Sequence, residues 1–477
     1  MDKSSIIFGN KIDKKTIKKA NKSKTKFIKK FGDDSNENYH LGLVDNKTLD
    51  FIGVKNIVFK ETNDKFPENP IVIGNIRMGF GHYRISIALA SCAKALGYTP
   101  LWFDAASFNA TGSKMIRYQN SLYSKGSKIS SKSKLFNKLI WEPMNSEGFK
   151  KLTYNAVDQK NAELLVPLYK NLPKDIPFVA THAWPSQGAV HSGLKCVVNA
   201  IPDNWPMALH LSEGAIHTVQ TPFGYLGYKK LNGFSKNELK PMSEGSLFYT
   251  GNYVDHEIVS NLEEDTKKRF DRINTNKPLR FTLTIGGAGA QYEIFKDIVN
   301  YLLPMIKTHK VSLFINFGDY LPLEEKLMRD ISEIKDLAVV FNNQYEKFKE
   351  YIETIDNKDS GITIIYNEDI FEAVYSTNLL MRMSDALITK PSELVFYPIP
   401  KLFIHRVGGH EAYGAIYSSN IGDGTFECDD KKAVHEMLDS MINTKEILLQ
   451  MNSNIIRNYH NGIYNGGYEV IKLATKK

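Results

Sequence analysis

Short apolar runs alternate along this chain with stretches whose apolar residues recur every three or four positions. The runs predict buried strands at 71–73, 99–103, 178–181, 195–199 and 215–220. After a charged stretch the pattern resumes, with strands predicted at 281–285, 311–315, 361–365, 386–388 and 401–404, and a helix reaching about 307. One complete unit is PIVIGNIRMGFGHYRISIALASCAKALGY, from Pro70 to Tyr98: a strand, a glycine loop, then a helix with Ile85, Ala88, Leu89 and Cys92 in its apolar pattern. Uninterrupted apolar strands need cover on both faces, and intervening helices serve as crossovers. The predicted fold class is α/β, with two Rossmann-like doubly wound domains.

Breaks in the pattern set the expected boundaries. Residues 1–38 read as a basic, disordered tail and 39–65 as a short β-like extension. An N-terminal domain over 66–265 and a C-terminal domain over 275–445 follow, joined by KRFDRINTNKPLR. Residues 446–477 read as a C-terminal helix packing back on the first domain. Residues 111–140 form a basic insertion that also carries Tyr118, Leu122, Tyr123, Leu135 and Phe136.

Charge changes this picture at one place. The net charge is +8, yet residues 11–30 alone hold ten lysines and one aspartate. The rest of the chain is close to neutral, so the excess belongs to the tail. A solvated arm is the first reading of such a run and attraction to an anionic membrane surface the second; nucleic acid is not an expected partner. Ile12, Ile17, Phe27 and Ile28 lie within the run or at its edge but form no sustained helical stripe in this reading. No stretch of eighteen apolar residues occurs, and the first residues lack a signal-peptide core. Cys92, Cys196 and Cys428 are too few and too scattered for a disulfide framework or a zinc knuckle, and fit a reducing compartment. A cytoplasmic protein, peripheral at the membrane if bound there, is expected.

Candidate chemistry gathers where predicted strands end. RMGFGH places Gly79 and Gly81 in a strand–helix loop and His82 at the mouth of the helix, where an imidazole serves as a base near neutral pH. It departs from the dinucleotide fingerprint at Arg84, and Asp104 alone keeps a NAD reading open. His182 and Asp203 follow later strands of the same domain. In the second domain GGAGAQ supplies Gly286, Gly287 and Gly289 for backbone contact with phosphate, and it is no Walker loop. Lys390 ends a strand, Ser392 is a predicted helix cap, and Glu393 either complements the helix dipole or accepts two ribose hydroxyls. GGHEAYGA adds His410 and Glu411. The histidines lack close metal-ligand spacing, so neither a metal nor any other cofactor is expected.

The order of these motifs resembles the two-domain glycosyltransferases of the GT-B architecture. The likeness is to the monogalactosyldiacylglycerol synthases and the lipid-linked N-acetylglucosamine transferase of peptidoglycan assembly. RMGFGH looks like that family's first loop, GNYVDHEI like the motif closing its first domain, and ITKPSELVFYPIPKLFI with GGHEAYGA like its donor side. The likeness spans roughly 70–430. It implies two domains facing a central cleft, a nucleotide-diphosphate sugar as donor and an acceptor hydroxyl, on a lipid among others. It further implies His82 and Asp203 as catalytic residues, with Gly79, Gly81 and His182 on the acceptor side. Gly286, Gly287, Gly289, Lys390, Ser392, Glu393, His410 and Glu411 would serve the donor. Only Pro391 and Ser392 separate Lys390 from Glu393, where the family has a longer glycine-containing loop, and Phe80 replaces a usual glycine. A sugar-nucleotide epimerase, a phosphorylase and a non-catalytic sugar-nucleotide-binding protein are the alternatives.

Overall fold

Strands without polar alternation are stable only when both faces are covered, and the two large sheets among the described residues are built that way. The computed structural model describes residues 2–77, 79–132, 143–285, 291–357 and 361–476. The chain divides into Met1–His256 with Asn465–Lys477 (unit 1) and Glu257–Tyr464 (unit 2).

Unit 1 holds an eight-stranded sheet: β1 (Leu41–Asp45), β2 (Lys55–Phe59), β3 (Pro70–Asn75), β4 (Thr99–Asp104), β5 (Phe178–Ala180), β6 (Val197–Ala200), β7 (Ile216–Val219) and β8 (Leu247–Tyr249). Their order is β8-β7-β6-β5-β3-β4-β2-β1, parallel except for the β1–β2 pair. Ile71, Val72 and Ile73 of β3 are wholly buried. From β3 the chain crosses to β4 on one side, and β5 pairs with β3 on the other. Connections that diverge from neighbouring strands make a topological switch point, where ligands bind outside the strands' C-terminal ends.

Unit 2 holds seven parallel strands: β9 (Leu279–Thr284), β10 (Val311–Asn316), β11 (Ala338–Asn342), β12 (Ile362–Tyr366), β13 (Ala386–Thr389), β14 (Lys401–Ile404) and β15 (Gly424–Cys428). Their order is β11-β12-β10-β9-β13-β14-β15, which places a second switch point between β9 and β13.

Four expectations about the chain's organisation are corrected. The lysine-rich segment is not a disordered arm but an ordered helix, α1 (Lys14–Phe31), entered through an Asp13 cap. Ile17, Ala20, Phe27, Ile28 and Phe31 do form a stripe; Ala20 and Phe27 are buried, and α1 packs on α3 (Thr111–Lys132) and α4 (Leu152–Ala162). The extension at 39–65 joins the main sheet as β1 and β2. KRFDRINTNKPLR is no linker, because most of it lies in the helix Leu262–Asn274. There buried Arg269 donates to the Ser384, Pro398 and Met381 carbonyls and Arg272 pairs with Asp385. The predicted terminal helix is two, Lys445–His460 in unit 2 and Gly466–Thr475 in unit 1. The turn between them needs Gly466, where a Cβ would lie 2.1 Å from the Gly251 carbonyl oxygen.

One buried ion pair anchors unit 2. Lys401 and Asp423 are both fully buried, with Nζ 2.8 Å from Oδ2. Lys401 also donates to the Tyr397 and Ile399 carbonyls, and Asp423 accepts from Ser418 and Tyr464 hydroxyls. Burial pushes the lysine's pKa down and the aspartate's up, and the partners oppose both shifts. Removing one charge strands the other. Asp423→Leu should therefore cost about 3–5 kcal/mol in urea unfolding. Lys401→Met/Asp423→Leu should recover much of that loss, and a double variant no better than the single would show that the pairing is not what the site requires.

Candidate functional site

In unit 1 the switch point brings His82 and His182 together. Helix α2 (Phe80–Ala95) begins at Gly79, whose φ of +124° lies where side chains are strained. Gly81 and His82 occupy its first turn, and His82 is half-buried. His82 Nδ1 lies 2.8 Å from the Thr181 carbonyl oxygen, just past β5. A carbonyl only accepts, so the neutral ring carries its proton on Nδ1 and its basic lone pair on Nε2. Ser86 ties the same turn to β5 by donating to the His82 carbonyl and bonding the Thr181 hydroxyl.

His182 has the opposite tautomer. It caps α5 (Ala183–His191), and its Nδ1 accepts from the Trp184 N–H at 3.1 Å. Burial, then the fields of His82 and His210, hold its pKa well below the usual range, while Asp203 opposes this. The ring is therefore neutral, with its proton on Nε2. The His82 and His182 rings meet edge to face with centroids 5.1 Å apart. Asp158 of α4 is wholly buried near this turn; burial pushes its carboxyl up to about 7, and the Trp184 indole pulls the other way. Neither Trp184 Nε1 nor Asp158 Oδ2 completes a hydrogen bond among the described residues.

Asp203 follows β6. Its Oδ2 lies 3.1 Å from His210 Nε2; the aspartate side chain is 45% exposed and the histidine 6%. His210 Nδ1 meets the Tyr228 hydroxyl at 2.7 Å. His210 and Tyr228 thus support an aspartate that still faces solvent. Sequence reasoning missed this partnership, since the Asp203–His210 spacing matches no periodic element. Asp104, by contrast, is engaged by the Tyr83 hydroxyl and the Ala106 N–H, which leaves the NAD reading without its acidic residue.

In unit 2, Thr284 and Thr389 join the ends of β9 and β13 at 3.3 Å between hydroxyl oxygens. Gly286, Gly287 and Gly289 lie outside the described residues. Gln291, at the start of the helix Tyr292–Lys307, donates to the His405 carbonyl beyond β14. Lys390 pairs with Glu411. Glu411 is 8% exposed and also accepts from the Val407 and Gly408 N–H groups, so its carboxylate is engaged within the protein. This changes its expected part from ligand contact to positioning Lys390. Ser392 stands at a cap position but makes no cap hydrogen bond, because only a single 3₁₀ turn, Glu393–Phe396, follows. Glu393 is half-buried and has no hydrogen bond or ion pair among the described residues. His410 falls on the turn Gly409–Glu411. The short loop lies against the helix Ala412–Ile421, where a Cβ on Gly414 would come within 2.5 Å of the Pro391 carbonyl oxygen. His405, Glu427 and Asp429 approach one another closely enough to hold a metal ion, but Arg406 already binds Glu427.

Residues 6–230 match the family model described as Domain of unknown function (DUF6937), and residues 242–475 match Domain of unknown function (DUF6938). No match is found among curated proteins. Solved structures similar to this chain include UDP-GlcNAc 2-epimerase from Neisseria meningitidis bound to UDP-GlcNAc. That match has 13% identity and a TM-score of 0.47, and covers 86% of this chain and 100% of that one. A trehalose-phosphate synthase from Burkholderia xenovorans has 13% identity and a TM-score of 0.38, covering 68% and 76%. A glycosyltransferase from Rickettsia africae has 14% identity and a TM-score of 0.40, covering 86% and 100%.

The buried acid beneath the His182 turn has a stability signature. An unfolded aspartate ionises near pH 4, whereas folded Asp158 keeps its proton to about pH 7. Between those values the folded state binds more protons, so this group's contribution to stability falls as pH rises. Asp158→Asn cannot titrate. Its stability relative to wild type should improve between about pH 4 and 7, by up to about 4 kcal/mol, then level off. Chemical denaturation across that range is the measurement, and a constant gap would mean that Asp158 is not held protonated.

Proposed function

We propose that the protein is an enzyme acting on nucleoside-diphosphate sugars, and that it transfers the sugar to an acceptor hydroxyl by direct, base-assisted displacement. The observation that carries this reading is placement. In both units the residues with acid–base or anion-binding chemistry follow the strands at or beside the sheet's switch point.

In this mechanism Glu393 accepts hydrogen bonds from the ribose. The backbone around Gly286, Gly287 and Gly289 and the Lys390 ammonium meet the negative charge that develops on the departing diphosphate, a task that needs no metal ion. His82 Nε2 takes the proton from the acceptor hydroxyl as its oxygen bonds to the anomeric carbon and the carbon–diphosphate bond breaks. The Thr181 carbonyl holds Nδ1–H throughout, so the ring can become imidazolium without turning. Asp203, backed by His210, orients the acceptor. The motif likeness to monogalactosyldiacylglycerol synthases and the peptidoglycan transferase makes a lipid hydroxyl the acceptor we favour.

A second reading has its own support. Unit 1 carries two acid–base groups, His82 and the Asp203–His210 pair. Epimerising a sugar nucleotide needs protons removed and returned, and two such groups suffice. Incubating the protein with UDP-sugars and no acceptor separates the readings, because only an epimerase then changes the sugar.

With donor and lipid extract present, His82→Ala should lower turnover about 10²–10⁴-fold while donor affinity stays within a few-fold. Glu393→Ala should weaken nucleotide binding on the order of 10-fold or more, as expected for lost charge-assisted hydrogen bonds. Turnover that survives in the histidine variant would rule out the base. An unchanged dissociation constant in the glutamate variant would remove Glu393 from the site.

A further inference from the structure

The exposed side of α1 bears more like charge than folding alone favours. Lys14, Lys15, Lys18, Lys19, Lys22, Lys26, Lys29 and Lys30 are all exposed, and the helix contains no acidic residue. Several of them stand four apart and repel: Lys14 and Lys18, Lys15 and Lys19, Lys18 and Lys22, Lys22 and Lys26, Lys26 and Lys30. Lys14 and Lys15 also occupy the positive end of the helix dipole. Among the described residues only Lys24 of this helix forms an ion pair, with Glu163. The apolar stripe of α1 is spent on α3 and α4, so the lysines are held in a fixed row.

At its C-terminal end this row meets a second feature. Phe27 and Phe31 pack on Tyr118 of α3, and Lys30 Nζ sits 3.3 Å from the Tyr118 ring centroid. Beyond Tyr118 the same face of α3 continues by helical spacing as Leu122, Lys125 and Ile129. Leu122 is 50% exposed and Ile129 51%. A lysine row running into an exposed apolar stripe has the chemistry of an interfacial surface, where cations meet anionic headgroups and apolar side chains enter the acyl boundary. Base stacking or arginine forks would favour a nucleic acid, and α1 carries neither an arginine nor an exposed aromatic ring. No helix among the described residues is long and apolar enough to cross a membrane.

We propose that the lysine face of α1 and the adjoining Leu122–Lys125–Ile129 stripe of α3 dock the protein on bilayers containing anionic phospholipid. This surface lies outside the stretch that carries the donor motifs, and it stands whether or not the sugar-nucleotide reading does.

The test is co-flotation of the full chain with vesicles of phosphatidylcholine alone or mixed with phosphatidylglycerol, at low and high salt. Binding should require phosphatidylglycerol and weaken with salt. Lys18→Gln/Lys22→Gln/Lys26→Gln should lower vesicle affinity on the order of 100-fold, about fivefold per lysine. Its unfolding temperature should hold or rise, because repulsion is relieved. Leu122→Ser/Ile129→Ser should weaken binding while leaving its salt dependence in place. Equal binding to neutral vesicles, or a triple lysine variant that binds like wild type, would overturn the proposal. So would failure on anionic vesicles accompanied by salt-sensitive binding to duplex DNA, which would assign the row to nucleic acid. UDP-sugar binding, measured on the same variants, keeps failure of this surface distinct from failure of the proposed reaction.

Discussion

A parallel sheet cannot fill the space beyond two adjacent strands whose connections leave in opposite directions. In unit 1 that space lies beyond β3 and β5; in unit 2 it lies beyond β9 and β13. The candidate acid–base and anion-binding residues lie at or beside it. The loops that border such a gap are held at one end by buried strands, so side chains on them are fixed while their tips face solvent. His82 enters the gap from β3 and Thr181 from β5, and one hydrogen bond between them is enough to choose a tautomer. Glu393, with no hydrogen bond or ion pair among the described residues, follows β13 beside the second gap.

The two histidines at the first gap show how backbone groups assign roles to identical side chains. A carbonyl oxygen meets Nδ1 of His82; an N–H meets Nδ1 of His182. The first ring therefore offers a lone pair at Nε2 and the second a proton there. Burial keeps the second neutral, so it adds no positive charge beside a ring that would become positive in the proposed reaction. Were His182 protonated, the first ring would be a weaker base.

Much of the fold was legible because parallel strands announce themselves as unbroken apolar runs. β3, β10 and β14 were each foreseen close to their observed bounds. The edge strands β11 and β15 were not: GTFEC lacks a continuous apolar run, and the short run in AVVFN forms a strand that is mostly exposed or half-buried. The helix Leu262–Asn274 was hidden by its charge. Arg269 and Arg272 look like linker residues until the carbonyls and the carboxylate that satisfy them are seen. In the candidate site, placement was legible where a residue follows a strand, as with His82, Asp203 and Glu393. It was not legible where partners come from elsewhere in the chain: Thr181 for His82 and His210 for Asp203 answer to tertiary structure alone.

The same reasoning separates the lysines of α1 from those that decorate any surface. A disordered arm can carry ten lysines cheaply, because its chain swells and its charges move apart. A helix cannot: the backbone fixes neighbours one turn apart and repulsion persists. The apolar stripe through Ile17, Ala20 and Phe27 offsets that repulsion by packing on α3 and α4. The fold thus spends part of unit 1's apolar surface on holding a cationic row in order. A row so held is already arranged for a flat anionic partner, and binding one requires little further loss of backbone freedom.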